Sequence, residues 1–371
     1  MTLNIFFIQP FFSNPTLPNF KGKFEMLSLK CEGVIVSPAD DEYKAEAFGE
    51  FKYYSLPRIK NRLFKHIRYL IFTVRLALKY NKQKKFDYIY SYDPIALGFT
   101  GSVIKWLTGV PLVTEINGHL KKDAFLNQGG LLSKIKYNLF MLCIKTSIKN
   151  SIILKFLNDE QKEEWAEHIK EQKCYVFPNF APTHVFQKEN KDDEGYILSI
   201  GFPFYRKGMD VLIKAFLKIA DEFPKQQLRI YGHCPDQQEK QKYIDMTEGN
   251  NQITINNPVS YSEVIDLFQK CTFFVLASRS EAMGRVVLEA MAAEKAVVGT
   301  NVGGIPTLIA DEENGLLFEN ENVDDLADKM KKLLSDNSFK KQIEERAAEY
   351  VDAKFSSEKY TKRFLSMLEG V

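Results

Sequence analysis

The chain has 371 residues, 45% hydrophobic and 26% charged, with a net charge of +2. That length suits two domains of ordinary size, and the composition excludes a disordered, collagen-like or coiled-coil chain. The near-neutral total hides an asymmetry, because residues 1–180 carry 26 Lys and Arg against 17 Asp and Glu, whereas residues 181–371 carry 24 against 31. A basic half joined to an acidic half predicts two modules with different partners.

The chain opens MTLNIFFIQPFF, without a basic leading segment or a small-residue cleavage site. Leu3–Ile8 therefore reads as a first buried strand and not as a signal peptide. A loop, QPFFSNPTLPNFKGK (9–23), follows. Between Glu50 and Asp87 no acidic residue occurs, and residues 51–86 hold 11 Lys and Arg. Within that stretch Leu63, Ile67, Leu70, Ile71, Val74 and Leu78 form a helical stripe, opposite Arg62, Lys65, Arg68, Arg75 and Lys79. The stripe is expected to pack, leaving a basic face for an anionic membrane surface.

Further strands are read at Phe86–Tyr90, Pro111–Thr114 and Ser151–Leu154, with helical segments near 61–80, 94–108, 131–149 and 158–170. This alternation predicts a parallel sheet flanked by helices. Asn117, Gly118 and His119 stand just past the carboxyl end of one of these strands. The segment FPNFAPTHVFQKENKDDEG (177–195), with two prolines and a charged run, reads as a linker.

The pattern then restarts. Tyr196–Ile200, Gln227–Tyr231, Ile253–Ile255, Thr272–Leu276, Ala296–Val298 and Gly315–Phe318 are strand candidates. Helices are expected near 209–222, 260–270, 284–293, 323–335, 337–353 and 356–368. The fold class is α/β, with two doubly wound Rossmann-like domains in tandem, 1–182 and 183–355. The C-terminal helix, about 356–371, is expected to pack back on the first. Ligands in open parallel sheets bind beyond the carboxyl ends of the strands, so such a pair implies an interdomain cleft.

Two runs carry the chemistry. In ILSIGFPFYRKGMDVLIKAF (197–216) a strand ends at Gly201, and Arg206 and Lys207 precede a helix that starts near Gly208. A cation pair beside a helix N-terminus suits a diphosphate. In SRSEAMGRVVLEAMAAEKAVVGTNVGGIP (278–306), Glu281 lies in a loop after a buried strand, Gly284 opens a helix, and Glu289 sits on its first turns. Ionised carboxylates only accept hydrogen bonds, which suits the hydroxyls of a polyol.

The second run resembles the E-x7-E motif of retaining GT-B glycosyltransferases, specifically glycosyltransferase family 4. Ser278, Glu281, Gly284, Glu289-Ala290-Met291-Ala292 and Gly303-Gly304-Ile305-Pro306 carry the resemblance. The first run is similar to the same family's Gly-Arg-(x)4-Lys-Gly segment at Lys207 and Gly208. Phe202 stands at the family's arginine and Thr307 at a usual glutamate. VFPNF (176–180) is similar to the family's Pro-Asn-Gly at Pro178 and Asn179. The expected donor contacts are Arg206, Lys207, Gly208, Glu281, Met283, Gly284, Arg285 and Glu289, with Arg206 in place of the family arginine missing at Phe202, and the expected catalytic set is His119, Lys207 and Glu281. The resemblance implies that Glu281 touches the sugar, Glu289 the nucleotide ribose, and His119 the sugar or the reacting centre.

The expected activity is therefore transfer of a hexose-type sugar from a nucleoside-diphosphate sugar to a glycan or lipid-linked glycan acceptor. Bacterial surface polysaccharide synthesis is the expected setting, in the cytoplasm or at the inner face of the membrane. The alternatives are a non-catalytic nucleotide-sugar- or lipid-binding scaffold, and a GT-B nucleotide-sugar epimerase. No metal or resident cofactor is expected, since the sequence has no HExxH, no Cys/His cluster and no Asp-x-Asp run. The five cysteines are scattered and form no CxxC, which fits a reducing compartment. Basic stretches lack aromatic interleaving, so no nucleic-acid partner is expected.

Overall fold

The structure is a computed structural model that describes residues 2–10, 15–39, 47–57, 62–118, 131–187 and 192–370. It divides into two compact units, Met1–Pro178 with Thr361–Val371, and Asn179–Tyr360. The divisions fall at 178/179 and 360/361, where the sequence places them at 182/183 and 355/356.

The first unit is built on an eight-stranded sheet. Its strands are β1 (Leu3–Ile8), β2 (Cys31–Ala39), β3 (Ala47–Phe48), β4 (Phe51–Pro57), β5 (Tyr88–Ser91), β6 (Leu112–Ile116), β7 (Ser151–Phe156) and β8 (Lys173–Val176). Their spatial order is β3-β4-β2-β1-β5-β6-β7-β8. All pairings are parallel except β3 with β4. Every residue of β6 is buried, as is all but one residue of β1 and of β7, which is what a sheet covered on both faces requires.

Helix Pro18–Ser28 begins inside the segment the sequence reads as a loop. Proline at a first helical position loses no hydrogen bond and has its φ already set. The helix buries Phe20, Phe24 and Leu27, and Phe24 meets Phe7 and Phe51 edge-on. On the same core, Phe364 of helix Ser357–Glu369 stacks on Phe7 with ring centroids 6.1 Å apart. The Tyr88 hydroxyl donates to the Leu368 carbonyl at 2.8 Å.

Helix Arg62–Gln83 forms where the sequence predicts it, but with a different face inward. It buries Tyr69, Thr73, Leu76 and Ala77, while Ile67 and Ile71 of the expected packing stripe are exposed. The Tyr69 hydroxyl reaches the carbonyl oxygens of Gln9 and Val36, both at 3.1 Å. That fixes the helix rotation. Arg62 and Leu63 lie among the residues whose side chains are not described.

The second unit holds β9 (Tyr196–Ile200), β10 (Gln227–Tyr231), β11 (Ile253–Asn256), β12 (Phe273–Leu276), β13 (Val297–Thr300) and β14 (Leu316–Phe318). They form an all-parallel sheet in the order β11-β10-β9-β12-β13-β14. The chain thus builds outward from β9 in one direction, then returns to its other side through β12. The point where the order reverses lies between β9 and β12, and ligands of doubly wound sheets bind at such a point. Helix Met209–Ile219 packs Leu212 and Phe216 into a core shared with Leu326, Met330 and Leu333 of helix Val323–Ser335. Both units are α/β with largely parallel sheets, as the alternating pattern predicts.

Candidate functional site

β9 and β12 lie side by side, with Phe273 opposite Ile197 and Phe274 opposite Leu198. Their carboxyl ends lead into the two runs that the sequence marks as chemical. In the first, the chain turns through residues 201–208 and enters helix Met209–Ile219 from Gly208, whose φ is +62°. A Cβ at Gly208 would stand 1.9 Å from the Ala277 carbonyl oxygen. Glycine therefore meets two demands there, a left-handed backbone and contact with the end of β12.

This close approach brings Lys207 to Glu281. The Lys207 Nζ lies 2.5 Å from Glu281 Oε2, and both side chains are largely buried. The Ser278 hydroxyl stands 3.5 Å from the same oxygen. Burial acts to raise the Glu281 carboxyl, but the Lys207 ammonium and its hydrogen bond, the Arg206 charge and the Gly284 N–H outweigh it. The group is held below the ordinary carboxylate range. Arg206 leans over the same place, its Nη2 at 3.2 Å from the Phe202 carbonyl and its Nη1 at 3.5 Å from that of Ser280.

Arg279, which the sequence reading passes over, fastens the two loops together. Its Nη1 and Nη2 each lie 2.8 Å from an Asp210 carboxylate oxygen, and its Nε donates to Glu321 at 2.7 Å. Nη1 also reaches the Tyr205 carbonyl at 2.6 Å, and the guanidinium lies 4.2 Å from the Tyr205 ring centre. The Arg279 amide donates to the Arg206 carbonyl at 2.8 Å. Planar bidentate pairing of this kind fixes orientation as well as distance.

The second run continues into helix Arg285–Ala292, capped by Gly284. Glu289 is buried there, with Arg285 Nε 3.0 Å from its Oε1. Burial raises the Glu289 carboxyl, and the Arg285 charge only partly opposes it. The Gly303-Gly304 turn packs on the Glu281 loop, since the Gly304 amide donates to the Glu281 carbonyl at 2.8 Å. Met283 is buried and its sulfur accepts from the Asn179 amide at 3.3 Å. Thr307 bonds its own turn through the Gly304 carbonyl at 2.7 Å. Phe202, at the position expected for arginine, meets the His233 ring at 5.8 Å.

Arg206, Lys207, Gly208, Glu281, Met283, Gly284, Arg285 and Glu289 thus all belong to two loops and one helix at the switch point of a single sheet. His119 lies outside the described residues. Among the described residues, no three His, Cys, Asp or Glu side chains gather as a metal site would require.

Chemically, the arrangement offers two cations and a carboxylate fixed beside helix N-termini. An ammonium has three donors, so Lys207 can hold Glu281 and still offer N–H groups to an anion. Charges set in place before a reaction stabilise developing charge without reorganisation at the moment it forms.

Residues 181–350 match the family described as glycosyl transferases group 1. A glycosyltransferase of Methanocaldococcus jannaschii, itself described as uncharacterized, is 27% identical over 86% of this chain and 85% of its own length. The capsular polysaccharide biosynthesis glycosyltransferase CapM of Staphylococcus aureus is 24% identical over 92% of this chain and 91% of its own length. Among solved structures, HepE of Anabaena in complex with UDP-glucose superposes with a TM-score of 0.77 at 15% identity, covering all of both chains. Sucrose-phosphate synthase of Thermosynechococcus elongatus superposes with a TM-score of 0.78 at 15% identity, over 99% of this chain and 98% of its own. The fold is that of the GT-B glycosyltransferases.

Proposed function

We propose that this chain, whose residues 181–350 match the glycosyl transferases group 1 family, is a retaining, metal-independent glycosyltransferase. It moves a hexose-type sugar from a nucleoside-diphosphate sugar to a glycan or lipid-linked glycan, in bacterial surface polysaccharide synthesis on the cytoplasmic side. The observation that carries this reading is the 2.5 Å Lys207–Glu281 pair at the β9/β12 switch point. UDP and UDP-glucose, the ligands of the HepE structures, are the first donors to test. The capsular relative supports the polysaccharide setting.

In this reading Glu281 receives the sugar hydroxyls, and Glu289 the ribose. Negative charge builds on the departing diphosphate, where Lys207 and Arg206 meet it. Such interactions are stronger in the transition state than in the ground state, which is the condition for raising turnover. The acceptor attacks from the face the diphosphate leaves, and a diphosphate oxygen takes the acceptor proton. His119 contributes at the sugar or the reacting centre. Contact with an anionic membrane, expected of residues 51–86, brings the enzyme to a lipid-linked acceptor.

The test is a thermal-shift screen over UDP-, GDP-, ADP- and CMP-sugars. A ligand at a hundred times its Kd adds about 2.7 kcal/mol to apparent stability, so one nucleotide class should raise Tm clearly. Glu281→Ala and Lys207→Ala should then each abolish transfer while leaving the protein folded. Turnover near wild type in either variant overturns the assignment.

A further inference from the structure

In the first unit the chain advances from β4 to β5, β5 to β6 and β6 to β7, always in one direction across the sheet. Right-handed crossovers place the three connecting helices on one face. Helix Arg62–Gln83 packs against helix Ala96–Thr108, which packs against helix Leu131–Asn150. The ends of the last two are tied, since Trp106 Nε1 donates to Asn150 Oδ1 at 2.9 Å and Lys105 Nζ to the Asn150 carbonyl at 2.6 Å.

Each helix of this layer exposes large apolar side chains. The first exposes Phe64, Ile67 and Ile71, the second exposes Trp106 and Leu107, and the third exposes Ile135, Leu139 and Leu142. Phe64, Trp106 and Leu142 are each about three-fifths exposed, at 62%, 59% and 61%. Side chains of this size are exposed singly in most proteins, but a run of them across adjacent helices marks a contact surface. The charge names the partner. The three helices together contain 11 Lys and Arg and not one Asp or Glu. Arg68, Arg75, Lys79, Lys134, Lys136 and Lys145 are exposed.

We infer that the outer face of helices Arg62–Gln83, Ala96–Thr108 and Leu131–Asn150 is one docking surface for an anionic lipid bilayer, with the Trp106 ring as an interfacial anchor. The basic side chains meet the headgroups, and the apolar ones enter the boundary beneath them. A tryptophan with its N–H occupied and its ring open fits the headgroup level. No helix among the described residues is long and apolar enough to cross a membrane, so the contact lies on the surface. The inference rests on the membrane contact in the proposed function and widens it from residues 51–86 to three helices. It needs neither donor nor acceptor.

The experiment is co-sedimentation of the full chain with phosphatidylcholine vesicles, with and without 30% phosphatidylglycerol, at low and high salt. The expected result is binding to the anionic vesicles only, falling as salt rises. Trp106→Ser/Leu139→Ser/Leu142→Ser should lower partition at least tenfold, and Arg68→Glu/Arg75→Glu by a similar factor, with both variants folded and only the first lowered in Tm, by the lost Trp106–Asn150 hydrogen bond. Failure of the wild type to sediment with anionic vesicles overturns membrane contact altogether, without touching sugar transfer. Loss on the arginine changes alone would leave helix Arg62–Gln83 as the sole contact and overturn the three-helix surface. A wild type that sediments as a dimer, with the apolar variant monomeric, would assign the face to a second copy and overturn it likewise.

Discussion

Arg279 and Asp210 face each other in a bidentate pair with both N–O distances at 2.8 Å, bridging the loop after β12 to the helix after β9. Neither touches the Lys207–Glu281 pair directly. Their effect is to hold the two loops at the separation that lets that pair form. Arg279→Ala removes a charged partner from Asp210, which costs about 1–3 kcal/mol of stability. It should also lower kcat by about a hundredfold, the scale of a misplacement near 1 Å at a reacting centre. Steady-state kinetics with a saturating donor checks this. Wild-type kcat with a lowered Tm would make Arg279 structural only.

Glu289 gives a prediction of opposite sign for stability and binding. Burial raises its carboxyl, with Arg285 opposing. The folded protein therefore holds the proton more tightly than the unfolded chain does. Stability is lost as pH rises through the unfolded value towards the folded one, and stays lost at neutral pH. Glu289→Gln removes that loss, so its Tm should exceed wild type at pH 7.5 and approach it in acid. Donor affinity should fall about tenfold, since a charge-assisted hydrogen bond to the ligand becomes a neutral one. Calorimetry and donor titration read the two effects separately. A variant that binds donor like wild type would remove Glu289 from the donor site.

The β9–β14 half of the fold was legible because most of its strands are short apolar runs bounded by turn residues. β2 and β4 were not. CEGVIVSPA carries Glu, Gly and Pro, and FKYYSLP alternates without a clean apolar face, so tertiary pairing decides them, of β2 with β1 and of β4 with β2. The rotation of helix Arg62–Gln83 was hidden for a related reason. Periodicity marks the stripe from Leu63 to Leu78, but Tyr69, Phe72 and Leu76 give the helix a second face with apolar residues. The sheet chooses Tyr69, Thr73 and Ala77, which are small or can bond carbonyl oxygens. At the site, the paired glutamates and Lys207 stood in recognisable spacing. Arg279 did not, because Asp210 and Glu321 lie 69 and 42 residues away and nothing local ties a loop arginine to either.

Gly304 tests whether the Gly-Gly turn serves the site or only the chain path. A Cβ there would stand 2.2 Å from the Ala282 carbonyl oxygen and 2.9 Å from Met283 Cα. Both are backbone atoms that cannot yield by a side-chain rotation. Gly304→Ala should push residues 281–283 away from Lys207. Turnover should drop more than tenfold, with a stability loss of about 1–3 kcal/mol from overpacking. Equal activity, with the Gly304 amide still bonded to the Glu281 carbonyl in a crystal structure of the variant, would show that the loop absorbs the methyl group elsewhere.

The first unit carries a buried charge group that sets a pH dependence of its own. Tyr90 donates to Glu115 Oε2 at 2.7 Å, Lys155 Nζ lies 3.4 Å from Glu115 Oε1, and Lys23 Nζ sits 4.1 Å above the Tyr92 ring. Burial drives Lys23 down from 10.5 to about 7, Glu115 resists this, and Lys155 adds to it. The folded protein thus releases the Lys23 proton near pH 7, whereas the unfolded chain keeps it until about 10.4. Across that window the unfolded state binds more protons, so this site makes stability rise with pH. Below pH 7 both states are protonated, and the buried ammonium costs stability in full. Lys23→Met keeps the chain length without the charge. It should raise Tm at pH 6 and flatten the climb between pH 7 and 10, as read by scanning calorimetry of the first unit's transition. Parallel wild-type and variant curves would mean that Lys23 stays protonated in the fold, held by Glu115 against the desolvation that burial imposes.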